Sequence, residues 1–124
     1  MAKTVHDDVL DGALNIIKNN ATRMTLCNAQ PTTFTEGNAT FALADVTVAS
    51  GDFTVANGTT SGRKATVAAK AAVAVDTTGT GNHIALLDVA NSKLLYVTTT
   101  SSTAVAAAGT VDIGSWVIEI ADPA

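Results

Sequence analysis

The stretch 83-HIALLDVANSKLLYVT-98 places two dense apolar runs on either side of a short polar turn. In a β-strand, successive side chains point to opposite faces of the sheet. The first run puts Ile84 and Leu86 on one face and Ala85, Leu87 and Val89 on the other. The second run, residues 94–97, is also apolar on both faces. Residues 90–93 have the length and composition of a hairpin turn, so we predict a β-hairpin that is buried on both faces.

A hairpin of this kind needs a covering layer above and below it, so we expect it to lie at the centre of a sheet. The flanking sequence supplies further short strands, separated by Gly, Asn and Pro turns. These predicted strands are residues 23–29, 41–49, 53–56, 64–70, 72–76, 110–113 and 116–121. In the last of them, Trp116, Ile118 and Ile120 share one face. Residues 77–81 are predicted to be an exposed turn, and residues 98–109 a loop or an edge strand.

Residues 4–20 form the one helical pattern in the chain, because apolar residues recur there at spacings of three and four. Thr4 is the predicted N-cap, and Asp7 and Asp8 lie where the helix dipole favours anions. An isolated helix of this length is marginal in water, so its apolar stripe must be covered. The cover is either the rest of this domain or a neighbouring subunit, and the sequence leaves both open.

Short strands that recur about every 8 to 12 residues are typical of an antiparallel sandwich or barrel. We therefore predict a mainly β fold with a single domain over residues 1–124. The predicted architecture is an antiparallel β-sandwich or barrel-like sandwich over residues 23–121, with one N-terminal α-helix over residues 4–20.

The composition argues against several partner classes. The net charge is −4 at pH 7, and Arg63-Lys64 is the nearest approach to the clustered cations that phosphate binding needs, so we predict no nucleic-acid partner. No stretch approaches the roughly 18 apolar residues of a membrane span, so we predict no membrane partner. Cys27 is the only cysteine and no signal-peptide pattern opens the chain, which predicts folding in a cytoplasm.

Catalytic residues are not predicted, and the chain is not expected to be an enzyme. The only histidines are His6 and His83, and neither lies in a recognisable motif. Cys27 and His83 form one pairing that stays open, although a lone strand cysteine is more often a small buried residue. No cofactor is predicted.

No metal site is predicted either. His6, Asp7, Asp8 and Asp11 are spread around the axis of the predicted helix. The remaining candidates are aspartates at strand ends, which lack the ligand spacing of a calcium loop. They are Asp45, Asp52, Asp76 and Asp88.

The chain as a whole resembles the small Ala-, Thr-, Val- and Gly-rich virion proteins that tailed bacteriophages encode among their head genes. Three segments carry the resemblance: AKTVHDDVLDGALNIIKNNATRMTLCNAQPTTFTE at 2–36, NHIALLDVANSKLLYVTTT at 82–100 and WVIEIADP at 116–123. The resemblance implies a capsid decoration or cement protein, located in the virion and made in the host cytoplasm. It implies no active site.

The partners implied are the major capsid protein or other virion proteins, and a homo-oligomer is expected because a weakly charged surface favours association. The alternative is a tail, baseplate or fibre sandwich that binds a receptor or glycan. Against it, Trp116, Tyr96 and the phenylalanines fall in strand patterns that bury them. The helix is the predicted docking element. Its docking residues are Val9, Leu10, Ala13, Leu14 and Ile17.

Overall fold

The computed structural model describes residues 3–123, and Met1, Ala2 and Ala124, which the domain prediction includes, lie outside the described residues. One α-helix and nine β-strands are found in the described range. They are α1 Asp7–Asn20, β1 Arg23–Cys27, β2 Ala42–Thr47, β3 Phe53–Asn57, β4 Arg63–Val67, β5 Lys70–Ala74, β6 Gly79–Asp88, β7 Lys93–Val105, β8 Thr110–Ile113 and β9 Trp116–Ile120. All strand pairings are antiparallel. The predicted fold class is confirmed: the protein is mainly β, with one N-terminal helix and sandwich-like packing that does not close into a barrel.

β6, the first strand of the predicted hairpin, lies in the interior of the largest sheet, whose strand order is β2-β1-β6-β7. Ile84 and Leu86 of β6 point into the main core, beside Met24 and Leu26 of β1. The core is closed from the opposite side by the sheet β3-β4-β9 and by the pair β5-β8. One isolated bridge, Ala44 to Val75, links that pair to the edge of the large sheet.

The outer face of the large sheet is covered by the connection between β1 and β2, residues 28–41. This segment contains a π-helical turn, Glu36–Thr40. The hydroxyl of Thr25 donates a hydrogen bond to the carbonyl of Gly37 at 2.8 Å. A Cβ at Gly37 would lie only 3.2 Å from the methyl groups of both Leu87 and Leu94, so a glycine lets the segment lie flat on the sheet. The covering layer that the sequence predicts on this side of the hairpin is therefore a loop.

β7, the returning strand of the hairpin, lies at the edge of the sheet. Residues 94–97 are only partly buried, so the prediction of a strand buried on both faces holds for β6 and only in part for β7. β7 also bulges twice: Leu95 is an extra residue between the Leu86–Tyr96 and Leu87–Leu94 pairs, and the ladder slips again between the Gly81–Thr103 and His83–Thr99 pairs. An edge strand has no second neighbour to hold it straight.

Two further segments belong to this hairpin, one predicted to be a turn and one predicted to be a loop or an edge strand. Gly79 to Gly81, predicted to be an exposed turn, form the start of β6, and Gly81 is buried. Residues 98–105, which were assigned to a loop or an edge strand, extend β7 to 13 residues. Val89, predicted to lie in the strand, belongs to the turn instead.

Helix α1 packs against its own domain, which answers the question that the sequence leaves open. It contacts β3, β4, β6 and the 3-10 turn Ser50–Asp52. The helix begins at Asp7, and the N-cap is His6 in place of Thr4, because the His6 imidazole accepts a hydrogen bond from the Asp8 amide at 3.1 Å. At the other end, the Lys18 ammonium donates to the Phe53 carbonyl at 2.7 Å.

Candidate functional site

The five predicted docking residues do not share one exposed surface. Leu14 is fully buried and Leu10 is nearly so, because both lie on the side of α1 that faces the sheets. Ile17 is partly buried against the same core. Val9 and Ala13 are exposed. The sequence pattern predicts that the apolar stripe is one face. In the structure, one half of the stripe packs on the core and the other half is exposed to solvent.

The exposed half of the stripe also includes Ile16, which was not among the predicted docking residues. Val9 is 65% exposed and Ile16 is 59% exposed, and the small residues Gly12 and Ala13 lie between them on the helix. We call these four residues the helix row. Heptad spacing from Val9 to Ile16 could have identified it in the sequence, once Leu10 and Leu14 were assigned inward.

Helix α1 is held in a fixed orientation by an ion pair to the sheet. Arg63 of β4 donates to Asp11 of α1 through Nε at 2.7 Å and through a second nitrogen at 3.2 Å. Both side chains are about four-fifths shielded from solvent, with exposures of 18% and 21%. The Asp11 carboxylate raises the pKa of Arg63 above its ordinary value, chiefly through this hydrogen bond. A bidentate pair of this kind fixes orientation as well as distance.

Cys27 and His83 are directly opposite each other on β1 and β6. The Cys27 sulfur nevertheless lies 3.4 Å from the Thr25 hydroxyl and 3.8 Å from the Gly37 carbonyl, while His83 Nδ1 lies 2.6 Å from Oδ1 of Asn82. Burial raises the pKa of the Cys27 thiol, against a smaller opposite effect of the Thr25 hydrogen bond. A catalytic cysteine needs a lowered pKa, so this environment suits a structural thiol.

The acidic residues do not converge in the part of the chain that the structure describes. Between residues 3 and 123, no three His, Cys, Asp or Glu side chains come close enough together to hold a metal ion. Several of these carboxylates already have local partners. Asp52 accepts from Lys70 at 2.9 Å, which lowers the pKa of Asp52, and Asp88 accepts from the amide side chain of Asn91 at 2.8 Å.

A cleft lies between the second half of β7 and the turn that joins β8 to β9. Its volume is about 230 Å³. Hydroxyl groups are the most frequent polar groups in the lining, and they come from Thr98, Thr99, Thr100, Thr103 and Ser115. The remaining lining residues are apolar, glycine or acidic, namely Leu26, Ile84, Val111, Asp112, Ile113, Gly114, Trp116 and Val117.

Trp116 is the aromatic wall of this cleft. Its ring stacks on Tyr96, with 5.9 Å between ring centroids and 24° between planes. Its indole Nε1 is buried and has no hydrogen-bond partner among the described residues. Buried donors are normally paired, so this unpaired indole N–H is an unusual feature of the cleft wall. Trp116 was expected to be buried as a core residue, and the structure places it at the boundary between core and cleft.

Asp112, which lines the cleft, is fixed by a hydrogen bond from a residue with a positive φ. Its carboxylate accepts a hydrogen bond from the Ala72 amide at 2.8 Å. Ala72 has a positive φ of 53° and lies where the register between β5 and β8 shifts. Backbone strain of this type costs roughly 1–3 kcal/mol and persists where the surroundings enforce it.

The sequence interpretation missed this cleft entirely. Residues 98–103 were assigned to a weakly defined loop or edge, and Gly114-Ser115 to a connection. The signal was the run of hydroxyl residues at 98–103, which a strand end alone does not require. In the described part of the chain, no helix has both the length and the apolar character needed to cross a membrane. The chain matches no protein-family model, no curated protein and no solved structure.

Proposed function

We propose that the protein is a non-enzymatic structural component of a bacteriophage virion, of the capsid decoration or cement type, which binds the assembled head and stabilises it. The resemblance of three sequence segments to phage head proteins suggests this class. The observation that carries the proposal is the helix row Val9, Gly12, Ala13 and Ile16, an apolar surface on a helix whose other side is anchored in the core.

The helix row has the features of a protein contact. Single exposed hydrophobic residues are ordinary on protein surfaces. Here two large ones are separated by small ones, so a partner side chain can lie between Val9 and Ile16. Asp7 and Asp8 border the row at the N-terminal end of the helix. The complementary surface is therefore apolar with a basic border, and we assign it to the major capsid protein.

A row of four residues covers only part of a standard interface, which buries about 1,200–2,000 Å² in total. Further contacts must contribute to stable attachment. A homo-oligomer supplies them, because several weak contacts made at once raise the overall affinity without any new type of contact. We therefore propose that the protein binds the head as a homo-oligomer.

Co-sedimentation with capsids that lack this protein tests the proposal. Removal of the whole helix is not a clean test, because Leu10 and Leu14 are buried and their loss should destabilise the fold. The double variant Val9→Ser with Ile16→Ser changes exposed residues only, and we expect it to lose most capsid binding while its circular dichroism stays unchanged. Asn15→Ser, an exposed change on the same helix, is the matched control and should bind normally.

Two outcomes would count against the proposal. Full binding by the double variant would show that the helix row is not the contact. No binding by the unmodified protein would remove the head as its location. The number of copies per virion, measured by mass spectrometry, then separates a head protein with many copies from a tail, baseplate or fibre protein with few.

A further inference from the structure

We propose that the cleft beside Trp116 binds one ring of a neutral saccharide. The cleft shares no residue with the helix row. It does not depend on where the protein sits in a virion, since a head protein and a tail protein can each carry such a site. Failure of either proposal leaves the other unaffected.

The size of the cleft limits the ligand to a small molecule or to one unit of a larger one. Pockets for drug-sized ligands have volumes of about 300–1,000 Å³. This cleft, at about 230 Å³, lies below that range and has room for a single ring. It is open on one side, because Thr99, Thr103 and Ser115 at its rim are exposed, so a chain of further rings can continue into solvent.

The polar groups of the lining match a ligand that both donates and accepts hydrogen bonds. Threonine and serine hydroxyls do both, and the Asp112 carboxylate only accepts. Sugar hydroxyls complement both types. A protonated amine alone would satisfy Asp112 but would offer no acceptor to the threonine and serine hydroxyls.

The charge of the lining argues against anionic ligands. Among the residues that line the cleft there is no Lys, Arg or His, and Asp112 is acidic. The whole chain carries a net charge of −4 at pH 7. A phosphate or a uronic acid would meet repulsion here with no cation to offset it, whereas a neutral ring meets none.

The apolar part of the lining supplies the other half of saccharide recognition. Sugar rings present C–H groups on their faces, and aromatic rings and aliphatic side chains are their usual contacts. Ile84, Ile113 and Trp116 provide these surfaces. Stacking on Tyr96 supports the Trp116 ring from one side, and the Ala72 amide fixes Asp112. Both groups are thus positioned before a ligand arrives, which lowers the entropy lost on binding.

A peptide strand is a poorer fit to this part of the surface. Peptides that add to a sheet edge need a regular row of unpaired backbone groups. The ladder between β6 and β7 slips between Thr99 and Thr103, both of which line the cleft. A bulge of this kind breaks the row of backbone donors and acceptors, so side-chain hydroxyls dominate the contacts available there.

Titration of the full-length protein with neutral sugars tests the proposal directly. Trp116 is the only tryptophan, so intrinsic tryptophan fluorescence reports on this cleft alone. Glucose, galactose, mannose and N-acetylglucosamine are the probes, each raised to high millimolar concentration. We expect at least one of them to cause a saturable change, confirmed by saturation-transfer NMR on the sugar protons.

Matched variants assign the binding to the cleft. Thr98→Val with Thr100→Val keeps the shape and β propensity of the strand but removes two lining hydroxyls. Loss of two hydrogen bonds should weaken binding about tenfold. Thr54→Val with Thr66→Val is the control, because these residues are directly opposite each other on β3 and β4, away from the cleft, and it should bind like the unmodified protein.

The proposal is overturned by any of three results. No saturable response to any neutral sugar would exclude the ligand class. An equal response in the Thr98 and Thr100 double variant would place the binding elsewhere. A response to glucosamine or to a short peptide, with none to neutral sugars, would assign the cleft to a cation or a protein instead.

Discussion

β6 and β7 are the two strands of one hairpin and have similar apolar runs, yet their surroundings differ. Residues 84–88 of β6 are all buried, whereas residues 94–97 of β7 are only partly covered. β6 hydrogen-bonds to β1 and to β7, while β7 has β6 as its single neighbour in the sheet. Apolar content therefore identifies a strand, but the number of neighbours decides how deeply that strand is buried.

The largest expected effect is the difference between Leu87→Ala and Leu95→Ala. Leu87 is fully buried on β6 under the 28–41 connection, so its truncation should lower the free energy of unfolding by about 2–5 kcal/mol. Leu95 is the extra, half-buried residue of a bulge. Its truncation should lower the free energy of unfolding by less than about 2 kcal/mol, because it removes less buried apolar area than truncation of Leu87 does. Urea denaturation of both variants measures the difference. Equal losses would mean that the two strands are equally central.

A smaller effect is expected from Gly81→Ala on β6. A Cβ at this position would lie 2.6 Å from Cδ2 of Leu26, which is itself buried in the core. Overpacking of this kind costs about 1–3 kcal/mol. Ser101→Ala, in the exposed bulged part of β7, is the matched small substitution and should leave the melting temperature unchanged. A neutral Gly81→Ala would show that β6 is packed more loosely than its burial indicates.

The next effect tests the layer that covers β6. Thr25→Val keeps the side-chain shape but removes the hydrogen bond to the Gly37 carbonyl, which should cost about 1–2 kcal/mol because a buried acceptor loses its main partner. Thr99→Val changes an exposed residue of β7 and serves as control. Thermal melts compare the two. If both variants melt with the unmodified protein, the 28–41 connection is not held by Thr25.

The mildest probe leaves the sequence unchanged and follows the reactivity of Cys27, which lies beside β6 under the same cover. Its raised pKa and its burial should make labelling by a thiol reagent much slower in the native protein than in denaturant. Because the thiolate reacts, the rate should still be rising with pH above the ordinary cysteine pKa of about 8.5. Rapid labelling at neutral pH would mean that the cover opens readily.

The sequence predicts strands and helix well because their signals are local. Alternation in residues 116–120 placed Trp116, Ile118 and Ile120 on one face, and the structure packs that face against the core while Val117 and Glu119 are exposed. The sequence predicted a buried strand at 94–97 and a loop or an edge strand at 98–109, and only the pairing across the chain shows that residues 93–105 are one edge strand. Long-range packing also explains why the sequence predicted a turn at Gly79 and Gly81. These residues are glycines in a strand because Leu43 and Leu26 occupy the space beside them.

The candidate sites were less predictable than the fold. The helix pattern contained the row with Val9 and Ile16, but the sequence does not show which side of the stripe the domain uses. The cleft combines residues near position 100 with residues near position 115 and with Leu26 and Ile84. Such a combination depends on two strands of different sheets lying close together, which no local pattern records.

The bulges of β7 have a consequence for self-association into fibrils. β7 is 13 residues long, has no proline and carries its only charge at Lys93, a composition that suits cross-β growth. The bulges divide its regular pairing into three segments, 93–94, 96–99 and 103–105. Each is shorter than the six or seven residues of a typical steric zipper. The edge is thus protected by its shape, where other proteins use charge, and this shape disfavours the addition of further chains to β7.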